Sequence, residues 1–343
     1  MNTAISSAMS RNRFEELVAN LHVCDNETLD KSDNMAKIRP FFSMMNEKCL
    51  QYFLNQEELS VDESMLPYYG RHSGKKRIIG KPVRMGYKMW VLATSDGYVV
   101  QFEPYQGAKK GGQCRSSAVS WGLGERVVLD LLEELPKESY HVFIDNFFTS
   151  VRLLEYLNDS NIQATGVIRQ NKLAKCSIEG PKVLEKKDRG YYDQRTSKNG
   201  TITVVGWHDN RSVYAASNAL SARPTSHVSR WCRKAGSRVN IEQPGLIKQY
   251  NKHMGGVDRC DQNISLYRIA VKSRKWWWPL FIWIPDMIMQ NCWLFYRYYI
   301  IWFIAAHFLH LPIILHCLIE FMWRNKLIDI YLFSTDISTS ISE

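Results

Sequence analysis

Residues 141–150, HVFIDNFFTS, decide the fold class of this chain. Tyr140, Val142, Phe143 and Ile144 form a strand-like run that enters an Asp-Asn pair, and a helix-like pattern follows. Asp145 therefore stands at the exit of an expected buried strand, which is where α/β proteins place chemistry. Two further acids have similarly loaded settings: Asp62 in LSVDES and Asp258 in MGGVDRCDQ. Three carboxylates this far apart in sequence raise the question of a shared metal ion.

Just upstream, Val127, Val128, Leu131, Leu132 and Leu135 line one helical face until Pro136 stops it. Downstream, a helix over 149–158 and a strand over 162–168, IQATGVI, continue the alternation. Further upstream, GYKMWVLAT (86–94) and YVVQFEPY (98–105) are β-rich runs joined by Ser95-Asp96-Gly97, a good hairpin signal. LSVDES (59–64) is a short strand candidate. Residues 12–57 read as helical, with Phe14, Leu17, Val18 and Leu21 at helical spacing, then Ile38, Phe41, Phe42, Met45, Cys49 and Phe53. Together these predict an α/β fold, a mixed sheet with helices covering its faces. Residues 170–245 break the rhythm with short strands at 201–207 and 212–217 amid polar turns, and read as a basic, β-rich insertion. Helical character resumes at 245–254.

The 343 residues suffice for one elaborated domain or two to three smaller ones, and the composition is globular. The formal charge of +10 is uneven: residues 171–275 hold 21 Lys+Arg against 8 Asp+Glu. Such a block suits a polyanionic partner, and equally a solvated surface. The eight cysteines are scattered with no CxxC pair and no close Cys/His cluster. That argues against a zinc knuckle or a disulfide framework and fits a reducing compartment. MNTAISSAMSRNRFEEL has no apolar signal region, so the expected locations are cytosol and nucleus.

From Lys272 the chain turns aromatic, KSRKWWWPLFIWIPDMIMQNCWLFYR, and over 298–323 Glu320 is the only residue charged at neutral pH. Length and apolarity admit a membrane span there, but His307, His310, His316 and Pro312 are costly in hydrocarbon, which favours a buried helix. Trp276, Trp277 and Trp278 suit either base stacking or core packing.

Two-metal phosphoryl transfer needs carboxylates holding divalent ions about 4 Å apart. Acids gathered without a cation repel one another and raise their own pKa values, so such a cluster implies a hard ion with oxygen ligands. Asp62 lies in a first strand, Asp145 ends a later one, and Asp258 lies beside Gly255-Gly256 at or near a helix, with Asp261 on the same helical face. Each acid also has a plainer reading. Asp145 or Asn146 could cap the helix that starts near Thr149. Glu63 should face away from Asp62 and lie at the surface. Asp96 reads as a turn residue, Asp130 as polar-face, and Asp286 as a helix-end residue near Pro285.

LSVDESMLPYYGR, KPVRMGYKMWVLATSDGYVVQFEPYQG, HVFIDNFFTSVRLLEYL, ATGVIRQN, YNKHMGGVDRCDQN and SRKWWW occur in an order that resembles the transposases of the piggyBac family and their domesticated relatives, over about residues 10–297. The resemblance implies an RNase H-like catalytic core with a DDD triad at Asp62, Asp145 and Asp258, Asp261 as a further metal carboxylate, and Mg²⁺ (or Mn²⁺) as the ion. It implies cut-and-paste transposition at TTAA targets, DNA as partner, a nuclear location and a possible homodimer. The cations expected on DNA phosphates are Lys172, Lys175, Lys186, Lys187, Arg189, Arg274 and Lys275, giving affinity with little sequence reading. The implied organisation is a helical DNA-binding or dimerisation region (1–57), the core in two parts (58–169 and 246–267) around a basic insertion (170–245), an aromatic helical region (268–297) and an apolar tail unlike the family (298–343). The family's longer N-terminal region and cysteine-rich zinc domain have no counterpart here, so a truncated or domesticated copy is expected, with a non-catalytic DNA-binding or chromatin-associated protein as the alternative.

Overall fold

The computed structural model describes residues 7–107, 121–173, 176–233 and 235–306. Two helices come first, α1 (Arg11–Asn20) and α2 (Arg39–Gln51). Ser10 caps α1, accepting from the Arg13 amide, and Pro40 sits in the first turn of α2, where its missing N–H costs nothing. Strands β1 (Glu58–Pro67), β2 (Lys75–Arg77), β3 (Met85–Thr94) and β4 (Val99–Pro104) follow, then α3 (Leu123–Glu133), β5 (His141–Ile144), α4 (Val151–Asp159) and β6 (Gln163–Val167).

β3 and β4 form the hairpin read from Ser95-Asp96-Gly97: Gly97 holds φ +101°, and its amide donates to the Thr94 carbonyl at 2.9 Å. β1 pairs antiparallel with β3 and parallel with β5, and β5 pairs parallel with β6. Parallel strands need both faces covered, which is why Val142, Phe143 and Ile144 are consecutive and fully buried. The outer edge of β4 is closed by two side chains. Asn46 of α2 exchanges hydrogen bonds with the Phe102 backbone at 2.8 and 2.9 Å, and Asn291 does the same with Val99. Amide side chains thus satisfy edge groups that would otherwise invite another strand.

Three strands of the basic stretch, β7 (Tyr192–Thr196), β8 (Thr203–His208) and β9 (Ser212–Ser217), continue this same sheet through antiparallel β6–β9 pairing, giving the order β2-β3-β1-β5-β6-β9-β8-β7 with β4 also on β3. Between β6 and β7 lies a short helix, α5 (Pro181–Leu184). β10 (Ser226–Cys232) and β11 (Ser237–Gln243) form a separate two-stranded ribbon. The ribbon is tied back by the Trp207 indole, which donates to the Glu242 carbonyl at 2.9 Å, and by packing of Ile241 against Val205 and Trp207. α6 (Gly245–His253), α7 (Gly256–Tyr267) and the long α8 (Trp278–Ala306) complete the chain.

By compactness the chain divides into 1–292 and 293–343. In the first unit Trp277 and Trp278 are buried and Phe281 packs on Phe41 with ring centroids 5.2 Å apart, so two of the three tryptophans are core. Asp286 corrects an expectation: it lies inside α8, buried, accepting from the Ile269 amide at 3.3 Å, because Pro285 is carried within the helix and does not end it. In the second unit, Trp293 stacks on Tyr296 and Phe295 on Tyr299 along the helix. Among the described residues no helix is long and apolar enough to cross a membrane. Most of the apolar tail, residues 307–343, lies outside the described residues.

Candidate functional site

The parallel β1–β5 register ends on Val61 opposite Ile144. One step further, Asp62 and Asp145 stand at the same level on neighbouring strands, about 4.8 Å apart in backbone and on the same face of the sheet. The backbone after Asp145 turns at once: its carbonyl accepts from the amides of Phe148 and Thr149, both at 3.1 Å, and from the Thr149 hydroxyl at 2.9 Å. Its carboxylate receives no hydrogen bond among the described residues. The capping alternative therefore passes to another residue. Ser150 is the N-cap of α4, its Oγ accepting from the Leu153 amide at 3.1 Å, and Asn146 instead accepts from the Arg169 guanidinium at 3.0 Å.

On β1, Ser60, Asp62 and Ser64 share one face, and α7 lies against it. Gly256 permits that approach, because a Cβ there would stand 2.1 Å from the Thr94 carbonyl oxygen and 2.6 Å from Ser60 Oγ. Helical spacing puts Asp258 and Asp261 on one side of α7. Asp261 accepts from Ser64 Oγ at 2.6 Å, which fastens the helix to the strand two residues from Asp62. Asp258, one turn earlier, is exposed.

The electrostatics register the crowding. Burial pushes the Asp62 carboxyl up to about 7, Glu63 and Asp258 push the same way, and Lys81 opposes them. Burial and Asp258 likewise raise Asp261 to about 6, against the Ser64 hydrogen bond. Tyr250, on α6, is raised by burial and then by the charges of Asp145, Asp62 and Asp258, so one phenol borders all three acids. Among the described residues, however, no group of three or more His, Cys, Asp or Glu is close enough to hold a metal ion. The acids surround a common space without closing into a coordination shell. Their donor chemistry still fits a hard divalent cation, being all carboxylate oxygen with two members held up by burial and like charge.

Glu63 departs from its expected surface position. Its side chain is 16% exposed and lies between Lys81 at 3.5 Å and Lys88 at 3.3 Å, because Lys88 is itself packed over the Trp90 ring at 3.9 Å. Tyr250, Lys81 and Gly256 carried no readable signal, whereas Ser64 was accessible as the residue two beyond Asp62 on the same strand face.

The seven expected phosphate contacts divide. Lys172 gives its three ammonium hydrogens to the carbonyls of Asn146, Phe147 and Thr149, at 3.2, 2.9 and 3.0 Å, which braces the turn after Asp145. Lys275 does the same for Val18, Ala19 and Leu21 at the end of α1. Arg189 bonds Asp209 and the Trp231 carbonyl. Lys186, Lys187 and Arg274 are exposed, and Lys175 lies outside the described residues.

The family described as "Transposase IS4" matches residues 1–293. The chain is 40% identical over 301 residues to the human "PiggyBac transposable element-derived protein 3", covering 87% of this chain and 50% of that protein. It is 37% identical over 293 residues to the human "PiggyBac transposable element-derived protein 2", covering 85% and 49%. The chain thus spans about half the length of these curated relatives. Among solved structures it shares its fold with a piggyBac transposase, determined by cryo-EM as a synaptic complex with hairpin DNA, at TM-score 0.68 and 24% identity over 86% of this chain and 59% of that one.

Proposed function

This chain belongs to the piggyBac-type Transposase IS4 family, and from that premise we propose that it carries a nucleic-acid strand-cleavage and strand-transfer core acting on DNA. The carrying observation is the placement of Asp62 and Asp145 at one level on adjacent parallel strands, with the helix of Asp258 fastened beside them through Ser64 and Asp261. The order β4-β3-β1-β5-β6, antiparallel through β1 and parallel beyond it, is our ground for reading the core as RNase H-like. In this reading residues 58–169 and 246–267 form the core, 170–245 the basic insertion, and 1–57 with 268–297 a helical region around it.

Asp62, Asp145 and Asp258, with Asp261, would hold Mg²⁺ or Mn²⁺. Such an ion activates an attacking hydroxyl or stabilises a leaving oxygen. The chain's own part is to present acceptors and manage protons. Asp62, raised to about 7, is substantially protonated at neutral pH, so cation entry displaces a proton from it. Lys172 holds three carbonyls of the 146–149 turn, and so fixes the path of the chain leaving Asp145. Lys186, Lys187 and Arg274 are the exposed cations for backbone phosphates. TTAA target choice, a nuclear location and a homodimer extend the proposal on family grounds.

The test is divalent-ion-dependent nicking of TTAA-flanked DNA by the chain and by Asp145→Asn. Equal nicking by the two proteins would sink the catalytic assignment. A second reading, a DNA-binding protein without catalysis, is favoured by the absence of a three-acid metal group among the described residues. It expects salt-sensitive DNA binding that survives Asp62→Ala and no nicking under any divalent ion.

A further inference from the structure

A cavity of about 460 Å³ lies between the end of α1, the segment after β1 and the turn before α8, and shares no residue with the acid site. Four cations line it, Lys37, Arg71, Arg274 and Lys275, and among the described residues no Asp or Glu does. Like charges gathered without a counterion are unfavourable, and an anionic ligand relieves them. Lys275 cannot turn away, since its ammonium is tied to three carbonyls at 2.8, 2.9 and 2.8 Å. Burial and the neighbouring Lys37 both depress its pKa. Arg71 and Arg274 are exposed and make no hydrogen bond or ion pair with any described residue, leaving both guanidinium forks open.

The remaining walls are aromatic and held in place. Trp276 stacks on His72 with centroids 4.0 Å apart and planes 10° from parallel, and Tyr68 stacks on Tyr87 at 4.9 Å and 18°. Free guanidinium groups beside fixed ring faces suit a phosphate joined to a planar base. The volume falls in the range of small-ligand sites, about 300–1,000 Å³. We propose that this cavity binds one nucleotide unit, its phosphate on Arg71 and Arg274 and its base against Trp276 or Tyr68. The unit comes from a nucleic-acid strand or from a free nucleotide.

The experiment uses the full chain, the double variant Arg71→Ala/Arg274→Ala, and Asp145→Asn as a separate arm. The probes are a fluorescein-labelled, 5′-phosphorylated thymidine strand of about 12 nucleotides, within the usual range of strand footprints, and adenosine monophosphate followed by tryptophan fluorescence. Both arginines are exposed and unbonded, so the double variant should unfold at the wild-type denaturant midpoint. A strand source predicts at least roughly tenfold weaker strand binding in the double variant, with the logarithmic salt slope reduced by about 1.4, or ~0.7 per lost phosphate contact. A free-nucleotide source predicts unchanged strand binding, with saturable quenching by adenosine monophosphate that disappears in the double variant. Either result supports the site. Strand affinity and salt slope unchanged, with nucleotide quenching absent or equal in both proteins, overturns it. Asp145→Asn should leave both readouts at wild type, so a failure of the catalytic assignment and a failure of this site remain distinguishable.

Discussion

Gly255 and Gly256 are adjacent, and their environments predict opposite responses to one methyl group. A Cβ on Gly255 meets nothing within 4 Å, and its φ of −79° is ordinary for any residue. A Cβ on Gly256 stands 2.1 Å from the Thr94 carbonyl oxygen, which belongs to a fully buried stretch of β3, and 2.6 Å from Ser60 Oγ. A carbon and a carbonyl oxygen settle at about 3.3 Å or more, so α7 must withdraw by about 1 Å. Overpacking of this kind costs about 1–3 kcal/mol. The better helix propensity of Ala offsets at most about 1 kcal/mol of that. Gly256→Ala should therefore unfold at a lower urea midpoint with an unchanged slope. Gly255→Ala should stay within about 0.5 kcal/mol of wild type, the scale of a lost cap preference. The withdrawal also lengthens the Ser64–Asp261 hydrogen bond, now 2.6 Å, and moves Asp258 away from Asp62. Protection of the Asp258–Asp261 turn against amide exchange should fall in Gly256→Ala alone. Equal midpoints for the two alanine variants would refute the packing account of how α7 positions its acids.

Other consequences are sharp enough to measure. Asp62 and Asp261 titrate near about 7 and about 6 when folded, both above the ordinary 3.8, so the folded chain binds more protons than the unfolded one across that window. Stability from these groups is full below about pH 4 and lost as pH rises towards 7 in metal-free buffer, and Asp62→Asn should flatten most of that slope in urea unfolding. Asp145→Asn should leave stability within about 0.5 kcal/mol, because its carboxylate makes no hydrogen bond among the described residues, whereas Ser150→Ala should lose about 1 kcal/mol or more as the cap of α4. Lys275→Met should free residues 11–21, read as faster amide exchange or proteolysis there, because three carbonyls lose a charged donor. Lys187→Met should leave stability alone and lower the salt slope of duplex DNA binding by about 0.9. Unchanged exchange in Lys275→Met would show that its hydrogen bonds hold nothing.

The exit of β5 at Asp145, the β3–β4 hairpin and the core helices were legible because each rests on local rules: an apolar run, an Asp-Gly turn, a 3.6-residue stripe. The continuation of the sheet into β7–β9 was not legible, since antiparallel pairing of β6 with β9 joins residues about fifty apart and leaves no local mark. Charge was legible only as a sum. Lys172 and Lys187 read alike as cations, yet one is enclosed by three carbonyls and the other faces solvent, a difference set by what the turn after β5 brings near. Glu63 was misplaced for the same reason: strand alternation says which face a side chain takes, not whether two lysines wait there.

The sequence by itself determined the family, the α/β class and the identity of the acids, because ordered motifs and short-range periodicity are written in neighbouring residues. Only the tertiary structure decided that Asp62 and Asp145 lie side by side, that Gly256 lets α7 bring Asp258 to them, and that Ser150 takes the capping role. Those are outcomes of strand pairing and close packing between segments some eighty to two hundred residues apart, and such contacts form only when the whole core excludes its alternatives.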